Sequence, residues 1–376
     1  MINEYEAYYS TTVAGTYTKI PNLVEFTINV GRRNQLDQYG SATASLVFRY
    51  PTGYASPITA LVTGNYIRIT GTEGAPVNFS GTISNVRVKY GIPYSGGVGN
   101  ADFLYVECES WFASVGRMQG NGYAMASDTV LNQMLDMSSE TGLSSTSTSN
   151  QVLAATTVST TWGDWINRTA MTINGRLVDA AQNQQLRLVS PFKLSQSFVT
   201  FTDAETGDGF QKYNQIEFLS LADNFYTQIT VDPESYSAVT VTKSGATVPY
   251  RNYKTNTFNS STSQATDLAN YLLGNYGTST FAIASISASQ RSQGSYFLLD
   301  AVGQVAGSAG IFACVGFQVN VVFRGTTFAC VVEGCTVSGN VNDTNYTFHL
   351  SGADLNAYLL LDNAVFGKLD NNKLGY

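Results

Sequence analysis

Between residues 42 and 49 the chain alternates cleanly. Ala42, Ala44, Leu46 and Phe48 fall one way, Thr43, Ser45 and Arg49 the other. A period of two sends successive side chains to opposite faces, so this is a half-buried strand. Just before it lies "GRRNQLDQYG" (31–40), a charged, amide-rich loop that delivers the chain abruptly into the strand. Further strands are expected at "NYIRITG" (65–71), "NFSGTISNVRVKYG" (78–91) and "ADFLYVECESW" (101–111), separated by Gly- and Pro-rich turns. Short strands at this spacing predict a small barrel or sandwich over the first 120 residues.

The period then changes. "ASDTVLNQMLDM" places Val130, Leu131, Met134 and Leu135 on one helical face, with Ser127 or Asp128 as the N-cap. A second helical stripe holds Trp162, Trp165, Ile166, Thr169 or Ala170 and Ile173, and Gly175 is placed to stop it. At this spacing the two tryptophans are expected to pack in a core instead of stacking on sugar. "RLVDAAQNQQLRLVS" (176–190) then reads as strand, polar turn and strand. From 195 onward strands dominate, except for "TSQATDLANYLLGNYG" (262–277), where Ala265, Leu268, Ala269, Leu272 and Leu273 form an apolar stripe ended by Gly274 and Gly277. The closing "LLLDNAVFGKLDNNKLGY" reads as an extended C-terminal segment with Leu-Asp steps at Leu361–Asp362 and Leu369–Asp370.

The predicted fold class is mainly β (α+β), with two small β-barrel-like modules, an inserted α/β element and only three short helices. The expected division is an N-terminal β-barrel at 1–120, a helix-and-hairpin α/β element at 121–195, a mixed β domain with one helix at 196–290, and a C-terminal β domain with its extended segment at 291–376.

Composition sharpens this picture. Hydrophobic residues make up 43% of the 376 positions, enough for real cores. Charged residues are only 12%, about half the ~25% of an ordinary soluble domain. Ser, Thr, Asn and Gln carry the polarity instead, so the surface is poorly protected against association and suits an assembly. With 20 Lys and Arg against 27 Asp and Glu, the net charge of −7 argues against sequence-specific nucleic-acid binding. No run of 18 apolar residues predicts a membrane-spanning helix, and "MINEYEAYYS" lacks the basic and apolar regions of a signal peptide.

Catalytic chemistry has few candidates. His349, inside "YTFHLSG", is the sole histidine. That excludes an HExxH zinc site, makes a Ser-His-Asp or Cys-His arrangement improbable, and leaves His349 a structural role. No phosphate-cradling glycine motif is present. Asp203, Glu205, Asp208, Asp362 and Asp370 lie mostly in polar loops, where solvation is the default for a carboxylate. "DAETGDG" (203–209) lacks both the calcium-loop spacing and its closing Glu. Cys108, Cys314, Cys330 and Cys335 are expected as buried reduced thiols, with a Cys330–Cys335 bridge or a metal site as the alternatives. No catalytic, cofactor-binding or metal-binding residue is assigned, and no cofactor is expected.

Seven segments in colinear order resemble the minor tail, or tail-tip baseplate hub, proteins of long-tailed phages (siphoviruses). "VGRRNQLDQYGSATASLVFRYPTG" is similar to the loop by which that family's chain enters a barrel strand. "GNYIRITGT" with "FSGTISNVRV" is similar to its next strands, and "LYVECESWFASVGR" to its barrel exit. "WGDWINRTAMTINGRLVDAAQNQQLRLVS" resembles its helix-and-hairpin element. "QKYNQIEF" with "NFYTQITVD", "DLANYLLGNYG" and the Leu-Asp-rich ending complete the set. Phe48–Arg49–Tyr50 replaces the family's Asp/Asn-rich turn, and Glu109–Ser110 stands where its exit motif has Asp.

The resemblance implies a non-enzymatic structural virion protein. It would form a homo-oligomeric ring, typically a trimer, that closes the tail tube at its distal end and lets DNA through on ejection. Implied partners are tail tube or distal tail proteins, the tape measure protein and a tail fibre or receptor-binding protein; assembly would take place in the host cytoplasm. The loop at 31–40 would then be interface material whose charges meet neighbouring copies, a solvated monomer loop being the alternative. A receptor- or glycan-binding tail protein and a carboxylate-dependent envelope glycan hydrolase are the rival functions.

Overall fold

The computed structural model describes residues 5–51, 61–71, 77–91, 101–180, 185–189, 200–203, 210–220, 225–277, 281–289 and 315–352. Of the described residues, 52% are strand and 17% helix, a mainly β fold as the alternation predicts. The N-terminal strands are β1 (Tyr5–Ser10), β2 (Thr18–Ile20), β3 (Leu23–Gly31), β4 (Thr43–Pro51), β5 (Tyr66–Gly71), β6 (Val77–Lys89) and β7 (Ala101–Glu109). In β4 the alternation resolves as read: Ala44, Leu46 and Phe48 are buried, whereas Ser45 and Arg49 are exposed.

The chain next forms α1 (Trp111–Arg117), β8 (Tyr123–Met125), α2 (Val130–Thr141), β9 (Ser145–Ser147), β10 (Thr156–Val158), α3 (Trp162–Thr172), β11 (Arg176–Ala180) and β12 (Gln185–Val189). Helix α1 is a fourth helix that the periodicity does not predict, because its 7 residues, about two turns, are too short to show a period. The cap of α2 is Thr129, whose side chain accepts from the Asn132 amide, and not Ser127 or Asp128. Asp128 instead accepts from the Thr129 amide and Asn132 Nδ2, and Ser127 donates to the Leu153 carbonyl. Helix α3 opens with a capping box between Thr161 and Asp164. It stops one residue earlier than Gly175 suggests. Asn174 takes the left-handed conformation (φ 50°), its amide donates to Met171 O, and Gly175 N donates to Ala170 O, a Schellman closure. The hairpin β11–β12 follows as predicted, and β9 adds to it in parallel.

The remaining elements are β13 (Thr200–Thr202), β14 (Phe210–Lys212), β15 (Gln215–Ser220), β16 (Gln228–Pro233), β17 (Val239–Thr242), β18 (Asn252–Thr257), α4 (Thr262–Tyr276), β19 (Phe281–Ser289), β20 (Gln318–Phe323), β21 (Thr326–Asn340) and β22 (Thr344–Gly352). Gly274 does not end α4. The helix runs through it to Tyr276, with Gly277 as the C-cap. The Leu-Asp steps, Glu205, Asp208 and Cys314 lie outside the described residues.

Sheet topology joins what the sequence suggests are separate barrels. One 14-stranded sheet runs β14-β13-β20-β21-β3-β4-β7-β6-β5-β1-β2, with β22, β19 and β15 branching from β21. Among the described residues the strand pairing does not close into a barrel; the link is antiparallel pairing of β21 with β3 over Gly334–Asn340 and Glu25–Gly31. One apolar cluster fills both halves of this sheet, including Ile28, Leu46, Phe48, Phe79, Phe201 and Phe348. A second lies under the α/β element, where Trp162 and Trp165 are 3% and 2% exposed and meet edge to face. They are core residues, as their spacing predicts. A third packs α4 onto the small sheet β17-β16-β18.

At the β3–β21 link two glycines allow the strands to touch. Gly31 has φ +75°, and a Cβ there would lie 2.3 Å from Glu333 O; a Cβ on Gly334 would lie 2.5 Å from Arg32 O. Gly64, at φ +92°, has open space around it. Gly31→Ala is therefore expected to cost more than about 3 kcal/mol, because backbone strain adds to a clash with backbone. Gly64→Ala should cost only the left-handed penalty of about 1–2 kcal/mol. Urea unfolding of both variants checks the ranking.

Candidate functional site

Three parts of the chain that are far apart in sequence converge on one buried carboxylate. Glu333 sits at a register shift of β21, between Val332 and Gly334 in its pairing with β22. An extra residue at such a bulge leaves the ladder and can be re-aimed. Its Oε2 accepts from Arg32 Nε at 2.9 Å, and its Oε1 from Arg176 Nη2 at 2.6 Å and Ser351 Oγ at 2.6 Å. Both Glu333 and Arg176 are 0% exposed, and Arg32 is 7%.

The loop at 31–40 supplies the rest. Arg32 Nη1 donates to Asp37 O, and its guanidinium lies 4.4 Å from the Tyr39 ring centroid. Gln35, 2% exposed, donates to Asn174 Oδ1 at 2.7 Å, while its own Oε1 accepts from Tyr276 OH and Asn275 Nδ2. Asn167 bonds the Tyr39 backbone in both directions. The loop thus ties β3 to α3, β11 and α4 within one chain. Of the loop's charges, Arg32 is consumed internally and so is not available to a neighbouring copy. Only Arg33, Asp37, Gln38 and Gly40 of the loop are exposed.

The electrostatics follow from this geometry. Burial alone would push the Glu333 carboxyl up, but the Arg176 and Arg32 guanidinia outweigh it and hold the group at about 2. Burial pushes Tyr39 up to about 12. Asp179 on β11 is buried without a cation, and desolvation raises it to about 6 although the Ser110 hydroxyl and the Phe112 and Ala42 amides pull the other way.

None of the other sequence candidates among the described residues gathers at this junction. His349, half-buried on β22, lies 3.3 Å from Thr336 Oγ1, and burial lowers its pKa. Asp203 accepts from the Arg324 amide. Cys108, Cys330 and Cys335 are buried; Cys330 is a free thiol that burial pushes up to about 12. Among the described residues, no group of three His, Cys, Asp or Glu side chains is placed to share a metal ion. A cleft of about 370 Å³ beside the junction has Arg32, Asp37, Asp164, Arg168 and Lys254 in its lining. Arg168 and Lys254 are already paired with Glu234 at 2.8 Å and Asp232 at 2.7 Å, so nothing in it selects a ligand.

The other distinctive feature is a surface. Across β19, β22, β21, β3 and β4, the register aligns Ser287, Thr347, Thr336, Asn29 and Thr43 in one row. The next row is Ser289, Asn345, Ser338, Thr27 and Ser45. These positions alternate with buried Ile286, Phe348, Val337, Ile28 and Ala44 on the core side. All are partly or fully exposed except Ser289, which donates to Asp343. Thr336 donates to Asn29 at 2.9 Å, and Ser287 and Thr347 share a hydrogen bond of 2.9 Å. The band carries hydroxyls and amides and no charge.

No protein-family model matches the chain, and no curated protein is significantly similar to it in sequence. Solved structures are similar in fold. A tail protein from Neisseria meningitidis aligns over 93% of this chain and 96% of its own, with TM-score 0.64 at 10% identity. The 43 kDa tail protein of prophage MuSo2 from Shewanella oneidensis aligns over 93% and 98%, with TM-score 0.63 at 11% identity. The fold is that of phage tail proteins. A type VI secretion component of E. coli, itself described as structurally similar to the T4 tail proteins gp27 and gp5, aligns over 93% of this chain and 77% of its own, with TM-score 0.51 at 9% identity. The resemblance carried by the colinear sequence motifs is thus matched in three dimensions.

Two predictions test the junction. Glu333→Gln leaves two buried guanidinia without a counter-charge and should cost about 3–5 kcal/mol, whereas replacing Arg32, Glu333 and Arg176 together by apolar residues should cost far less. Chemical denaturation of both variants gives the comparison. For pH, the folded Glu333 lies below its ordinary 4.5, so its stabilisation is present above that value and lost as pH falls towards about 2. Asp179 has the opposite sign: its folded pKa is raised, so the cost of its charge grows as pH rises from 3.8 through about 6. Asp179→Asn should therefore stabilise the protein at pH 8 and lose that advantage near pH 4, read from denaturation midpoints across pH.

Proposed function

We propose that this protein is a structural component of a phage tail, specifically a tail-tip baseplate hub that forms a ring at the distal end of the tail tube. The observation that carries the reading is the alignment of 93% of this chain with tail proteins over nearly their full length. The charge-poor composition supports it, because a surface with 12% charged residues suits close association more than solitary solubility.

In this reading the copies close into a homotrimer, the natural outcome for heterologous contacts around an axial channel. The continuous sheet supplies the wall, formed by strands of 1–120 and of parts of 200–350, and the α/β element at 121–195 braces it. The ring would meet tail tube or distal tail proteins, the tape measure protein and a receptor-binding protein, and DNA would leave through it. Its work is mechanical: the buried carboxylate junction holds the two halves of the wall in fixed relation. Structural neighbours described as tail proteins favour this over a glycan hydrolase, and the polar band, lacking an aromatic platform in either row, gives a glycan reader little support.

Light scattering on the purified protein should show a trimer, and antibody labelling of tailed particles should mark one end of the tail. A monomer at high concentration together with unlabelled tails would overturn the proposal.

A further inference from the structure

The geometry points to the uncharged band on β19, β22, β21, β3 and β4 as the surface that faces the channel and past which duplex DNA moves. The inference rests on the hub reading and adds which face of the chain lines the passage.

The argument starts from charge. Duplex DNA presents about one negative charge per ~1.7 Å of axis, and each lysine or arginine that neutralises a phosphate gains affinity by releasing counterions. A wall that lets DNA slide therefore has to withhold cations over the contact length. In the two rows every position is Ser, Thr or Asn, in a chain that carries 20 Lys and Arg. At the ~4.8 Å spacing of paired strands, five strands make a band about 19 Å across.

The charges that exist lie around the band. Glu109 and Glu107 continue the two rows on β7. Arg49, Arg87 and Lys89 sit beyond its edge on β4 and β6, with Arg87 over the Tyr105 ring. Arg33 and His349 lie off its other end, where burial and then the Arg33 charge lower the imidazole's pKa.

Continuity is the second argument. The band crosses the β3–β21 link, so the N-terminal and C-terminal halves contribute adjoining strands to one hydrated face. Core packing requires only that the outer positions be polar. It does not require that charges be absent from all nine that are exposed or partly exposed.

The test uses particles carrying Thr27→Lys, Ser45→Lys and Ser338→Lys together, with Glu at the same three sites as a steric control. A second control places lysines at Thr240, Thr242 and Asn252, on the outer face of the small sheet. The expectation is that the band-lysine particles incorporate the protein and eject DNA at least about threefold more slowly at low salt, with the delay relieved as salt rises. Both controls should eject at the wild-type rate. Wild-type ejection from the band-lysine particles, or equal slowing in either control, would overturn the assignment. Absence of the protein from tails, seen by antibody labelling of the unmodified particle, would instead refute the hub reading on which it rests.

Discussion

A single buried carboxylate, Glu333, holds together segments that are hundreds of residues apart. Two guanidinia and a hydroxyl converge on it, one guanidinium from the loop after β3 and the other from β11. Taking three charges out of water is expensive, and such a cluster adds little net stability over well-packed apolar side chains. What it adds is uniqueness. A guanidinium that misses its carboxylate stays buried and unpaired, so alternative placements of β3 against β21 are strongly penalised.

Several local features make sense only around that requirement. The bulge in β21 turns Glu333 out of the ladder, Gly31 and Gly334 let the two backbones approach, and Asn174 takes the left-handed position that ends α3 beside Arg176. Gln35 then spans from Asn174 to Tyr276 and Asn275, adding α4 to the same network. Through Arg32, Gln35 and Tyr39 the loop is an internal clamp, and the sheet continues without a break from one half to the other.

With its strongest charges turned inward, the protein presents an outer sheet face of hydroxyls and amides. In the proposed ring, the buried junction would fix the shape of the wall, and the band would lack the cations that hold a passing polyanion. The same charge poverty favours contact between copies, since few ions have to be desolvated to bring surfaces together.

The longer strands, α2, α3, α4 and the β11–β12 hairpin were legible in the sequence, because periods of two and 3.6 and the turn residues are local signals; three-residue strands such as β8, β9 and β10 were not. So were the core tryptophans and the mainly β class. Local signals could not distinguish Thr129 from its two polar neighbours as a cap, since capping depends on which oxygen reaches the Asn132 amide. They could not show that two barrel-like halves share one sheet, because pairing between β3 and β21 is a contact across three hundred residues. Nor could they reveal the role of Arg32, Gln35 and Arg176, whose partners come from other parts of the chain. One clue was present: Glu333 is the lone charge in the apolar run "ACVVEGCTV", and a carboxylate is seldom buried without a partner. The sequence by itself determined most of the elements and the buried faces of α3 and α4, though not that of α2, where Leu135 is exposed and Gln133 and Met137 are buried. Only the tertiary structure decided what Glu333 pairs with, because the energy of a buried charge depends on groups brought near it by the whole fold.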